Sequence, residues 1–160
     1  MPILYCLLSP LQFRTVVVLP SMTMTTKPTL NACLKRKRLY FNRATISYLG
    51  NPTHLSFWYD EEKHLLFVAA TVKEDLNAFA IPTYYWNSSG SCVVARIAFL
   101  IALQYRLRWE YGNKYSYVGT CIEFGGFPAV MFRMTDGTVK TPELLQNSVW
   151  RCMTGRRNRQ

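Results

Sequence analysis

The chain has 160 residues, with 19 lysines and arginines against nine aspartates and glutamates, for a net charge of +10. A hydrophobic content of 49% and an aromatic content of 14% exclude disorder for most of the length and allow one domain with a real core. The charge excess favours an anionic partner, nucleic acid first and a membrane surface next, or serves solubility alone.

Residues 1–20 are apolar, but Pro2, Pro10, Pro20 and Arg14 interrupt them and no basic residue precedes the run. Neither a signal peptide nor a spanning helix is predicted from such a stretch. It reads as an upstream extension of the reading frame or a loosely attached arm, and residues 1–35 together are expected to be a poorly ordered extension. Lys35-Arg36-Lys37-Arg38 follows. These four charges read either as a phosphate-gripping arm or nuclear-import-like run, or as a solvated charge run.

A strand is predicted at 39–43, then a short helix at 44–49 stopped by Gly50, with Asn51-Pro52 turning the chain. Residues 55–59 and 64–69 form a predicted hairpin around the polar turn Asp60-Glu61-Glu62-Lys63. Alternation places Phe57 and Tyr59 on one face and Trp58 on the other. With Tyr40 and Phe41 these rings read as core in preference to a base-stacking platform.

Lys73-Glu74-Asp75 separates a second unit. A strand at 78–82 is expected to leave the sheet at Pro82. Asn87-Ser88-Ser89-Gly90-Ser91 supplies capping residues for a helix predicted at 92–109, apolar nearly all round and therefore buried. Arg96 is its one charge before Gln104 and reads as a structural salt bridge. Gly112-Asn113-Lys114 turns the chain into strands at 115–118, 121–124 and 129–134, with Gly125-Gly126 as a hairpin turn. From Thr141 a short helix at 142–146 precedes Arg151, Arg156, Arg157 and Arg159, a basic tail suited to auxiliary phosphate contacts.

Each half thus reads as strand, helix, strand, strand. The expected fold is α+β or mostly β, with tandem βαββ units at 36–72 and 78–134 in a single compact domain, 36–135. Residues 136–160 form the tail. Five cysteines (Cys6, Cys33, Cys92, Cys121, Cys152) have no metal-ligand or disulfide spacing, so reduced, mostly buried thiols are expected. His54 and His64 are isolated, and a catalytic or metal reading requires that they meet across the turn. No catalytic constellation, metal or cofactor is predicted.

The first unit resembles the AbrB/MazE/SpoVT group of swapped-hairpin DNA-binding proteins. Leu39-Tyr40-Phe41-Asn42-Arg43 takes the place of the family's strand and its exit, and Leu49-Gly50 closes the short helix. Ile81-Pro82 and Gly112-Asn113-Lys114 resemble the family's Ile-Pro and Gly-Asp steps in the second unit. Asn42 stands where the family usually has proline, and Ile46 and Ser47 where it has arginine. The resemblance implies a swapped-hairpin-like barrel completed within one chain. It also implies sequence-specific binding to double-stranded DNA, by a transcriptional or antitoxin-like regulator. Arg38 and Arg43 are then the DNA-contacting residues, with Lys35, Arg36 and Lys37 on phosphates. The alternatives are a protein that binds RNA or single strands, and a non-catalytic protein-interaction module. A homo-oligomer or protein partner fits either case, a membrane partner is not expected, and the expected location is the cytoplasm.

Overall fold

A computed structural model describes residues 16–18, 26–82, 91–94 and 97–141. Strand β1 is Val16–Val18 and β2 is Thr29–Cys33, whose Leu30 and Ala32 are fully buried. A 3₁₀ turn, Leu34–Arg36, leads into β3, Arg38–Asn42, which buries Leu39 and Phe41 and turns Arg38, Tyr40 and Asn42 outward. Helix α1, Arg43–Tyr48, follows at once because Asn42 caps it. The Asn42 Oδ1 accepts hydrogen bonds from the Thr45 amide at 3.1 Å and the Thr45 hydroxyl at 2.7 Å. Gly50, at φ 83°, ends the helix with paired bonds from Gly50 N to Ser47 O and from Asn51 N to Ile46 O.

Strands β4, His54–Asp60, and β5, Leu65–Thr71, form the expected hairpin. The short strand β6, Phe79–Ala80, pairs with β4 and ends before Pro82. Strand β7 is Ser91–Val94 and helix α2 is Ile97–Leu107. The helix expected from residue 92 therefore begins later, because Cys92-Val93-Val94 is used as an edge strand on β3. Nor is α2 buried all round: Phe99, Leu100 and Leu103 enter the core, whereas Ile101 and Tyr105 face solvent. Residues 115–118 and 121–124 belong to one strand, β8, Lys114–Phe124. Strands β9, Phe127–Arg133, and β10, Thr138–Lys140, complete the sheet. Gly125 and Gly126, both at positive φ, make the two-residue turn between β8 and β9.

Strand β8 is the spine. Along one edge it pairs with β2 and then β1, and along the other with β10 and then β9. The strand order is β6-β4-β5-β9-β8-β2-β3-β7. Although β3 and β4 are far apart in that order, Phe41 stacks on Phe57 with centroids 5.7 Å apart and reaches Phe132 at 6.0 Å. The fold is thus mostly β, an antiparallel sheet curled into a nearly closed barrel around a main apolar core, with a smaller separate cluster of Ala69, Ile122 and Ala129. Phe99 of α2 joins that core 5.1 Å from Phe57.

The expected domain start at 36 falls inside the sheet, since β2 is a central strand, and β10 lies in what was expected to be tail. The β4–β5 and β8–β9 hairpins stand side by side through β5 and β9, and β6 crosses to pair with β4. The matching place beside β8 is held by β2, with β3 one strand further out. The tandem arrangement is therefore not reproduced strand for strand. The capping residues 87–90, Arg96, the helix at 142–146, Cys6 and Cys152 lie outside the described residues.

Candidate nucleic-acid interface

The basic run sits on the turn of the β2–β3 hairpin. Leu34 is buried and anchors the turn, while Lys37 takes the left-handed conformation (φ 52°) and its amide bonds Leu34 O at 3.0 Å. Lys35, Arg36, Lys37 and Arg38 are consequently exposed. Register then brings in two lysines that lie far away in the sequence. Arg38 is opposite Cys33, Cys33 opposite Lys114, and Lys114 opposite Lys140. Directly opposed residues share a face, so the four side chains form one row across β3, β2, β8 and β10, about 14 Å long at the usual strand spacing. The next row on that face is polar: Tyr40, Asn31, Ser116 and Thr138.

Between these rows lies an open cleft of about 250 Å³. Arg36, Lys114 and Lys140 line it with Asn31, Tyr40 and Ser116, and no carboxylate among the described residues does. Among the described residues the ion pairs are Arg106–Glu61 and Arg133–Asp136, so none of these cations is neutralised by one. Lys114 and Lys140 face each other directly, an arrangement of like charges that costs stability unless an anion joins them. Apart from Arg43, each charge-bearing candidate among the described residues thus converges on one end of the sheet.

Arg43 does not. It opens α1 at the far end of β3, about 17 Å from Arg38 along the strand. Ile46, at the family's arginine position, is buried in the core. Arg151, Arg156, Arg157 and Arg159 lie outside the described residues. Lys114 and Lys140 were missed from the sequence because their only signal is cross-strand register.

The aromatic residues divide as alternation predicts. Phe41 and Phe57 are core, and Trp58 turns to the other face, where it lies half-buried near Phe124. His54 and His64 do not meet: they stand at opposite ends of β4, about 20 Å apart along the strand. His54 Nδ1 is 2.9 Å from the Thr53 hydroxyl and His64 Nδ1 is 3.0 Å from the Tyr59 hydroxyl. Among the described residues no three His, Cys, Asp or Glu side chains are grouped to hold a metal ion. Cys33, Cys92 and Cys121 are free thiols, and burial pushes Cys92 up to about 11. No helix among the described residues is long and apolar enough to cross a membrane. No family model matches the chain, and neither a curated protein nor a solved structure does.

Proposed function

We propose that the protein binds double-stranded DNA without catalysing a reaction on it, as a transcriptional or antitoxin-like regulator acting in the cytoplasm. The observation that carries this reading is the row of Arg38, Lys114 and Lys140, in no ion pair among the described residues, beside the exposed Lys35-Arg36-Lys37 turn. Cations one and two strands apart on a polar sheet face suit the phosphates of a backbone, and β-ribbons and sheets are known DNA-reading elements. In the same reading the β4–β5 and β8–β9 hairpins are the two halves of a swapped-hairpin-like barrel, with β2 and β7 as additions. Arg38 is the candidate base reader within the row, because a planar guanidinium bonds a guanine edge through two donors.

The test is fluorescence anisotropy of a labelled duplex and its matched single strand, titrated at several salt concentrations. Duplex affinity is expected to fall steeply with salt. Each phosphate contact contributes about 0.9 to the slope, so a Lys114→Ala, Lys140→Ala variant should lose about two. Arg43→Ala alone should lose no more than about one. Tighter binding to the single strand would replace this reading with the single-strand or RNA one. Absence of binding to either at low salt would remove nucleic acid from consideration.

A further inference from the structure

We propose that the cleft beside the basic row seats one terminal phosphate monoester of a nucleic-acid strand, a proposal that rests on the nucleic-acid reading above. The first ground is charge. Arg36, Lys114 and Lys140 line a single concave space with no carboxylate of the described residues among them. An internal phosphodiester carries one negative charge, whereas a phosphate monoester carries about 1.5 to 2 at neutral pH and offers more acceptor oxygens. The monoester is the better match for three cations.

The second ground is an orphan. Tyr40 lines the cleft, and its hydroxyl is closed off from solvent with no hydrogen-bond partner among the described residues. A buried hydroxyl left unpaired is destabilising, and such groups are rare in folded proteins. A phosphate oxygen drawn in by the lysines supplies the missing acceptor, and a bond from a neutral donor to an anionic oxygen is of the strong kind. The third ground is size. At about 250 Å³ the open cleft falls below the roughly 300–1,000 Å³ of pockets that enclose whole cofactors. A phosphate with its first sugar fits the space, and the strand beyond it leaves through the open mouth along the basic row.

The full chain is titrated with one labelled duplex in 5′-phosphorylated and 5′-hydroxyl forms. Inorganic phosphate and a nucleoside 5′-monophosphate are titrated separately by calorimetry. The phosphorylated duplex is expected to bind about tenfold tighter, the scale of one charge-assisted hydrogen bond. Tyr40→Phe removes only the hydroxyl. It should erase most of that difference and not lower the thermal midpoint. Lys140→Gln should shrink the same difference. If both duplexes bind equally and Tyr40→Phe changes nothing, the cleft proposal is overturned and DNA binding stands. If no duplex binds but the mononucleotide does, with loss in Tyr40→Phe, the cleft is a phosphate seat for free nucleotide and the DNA reading falls. If no duplex, phosphate or nucleotide binds, both fall.

Discussion

At the residue scale, Asn42 joins three segments with one side chain. Its Oδ1 accepts from Thr29 N at 3.0 Å as well as from Thr45, and its Nδ2 donates to Lys27 O at 2.8 Å. A proline at this position, as in the resembled family, offers neither group, so here the amide takes over the exit from the strand. Asn42→Ala should therefore cost about 2 kcal/mol, the upper range for loss of an N-cap, because it strips the entry to β2 as well. Asn42→Asp keeps the acceptor and should recover more than half, read as the urea midpoint at constant slope. Lys140 gives the opposite sign. Its opposition to Lys114 is unfavourable in the free protein, so Lys140→Glu should raise stability by a few tenths of a kcal/mol, as cross-strand pairs do. The same change should weaken duplex binding severalfold, by adding a negative charge where a phosphate is held. A melt and an anisotropy titration of one preparation check both signs.

At the element scale, β8 decides the architecture, because its neighbours change along its length from β2 and β10 to β9 and β1. Gly119 stands at the change. A Cβ there would lie 2.7 Å from the Phe132 ring and 2.7 Å from a Val130 methyl, both in the core, while the Gly119 amide bonds Pro28 O at 2.8 Å. Gly119→Ala should destabilise by about 1–3 kcal/mol through overpacking, seen as a lower denaturant midpoint. Much of the first unit was legible in the sequence. The polar turn Asp60-Glu61-Glu62-Lys63 between two apolar runs marked β4 and β5, and the short helix after β3 was marked by Gly50 and the turn after it. The misreadings have one physical source. Residues 91–94 are an apolar run too short for periodicity to separate strand from helix, and their pairing with β3 settles the matter. Asn31 and the polar residues around it hid β2, whose apolar positions matter only once β3 and β8 flank it. The partners in the basic row likewise meet through register, which no local pattern encodes.

At the scale of the whole molecule, the main core draws side chains from many strands and from both helices, so titration of a group inside it bears on the stability of the entire barrel. Burial pushes the Cys92 thiol up from 9.0 to about 11. Burial also pushes the Tyr117 phenol from 10.0 to about 12, against the lowering effect of the Trp109 indole bonded to its oxygen at 2.8 Å. Burial raises Tyr48, Tyr59 and Cys121 as well. In each case the folded chain holds its proton more tightly than the unfolded chain. The resulting stability is complete below about pH 9 and is lost as pH climbs through 11 and 12. The urea midpoint should accordingly be flat near neutrality and fall steadily above pH 9. Cys92→Ala should start lower, because it opens a small cavity, yet lose less between pH 9 and 11, so that the two curves converge. Parallel curves would mean that Cys92 does not stay buried in the native barrel.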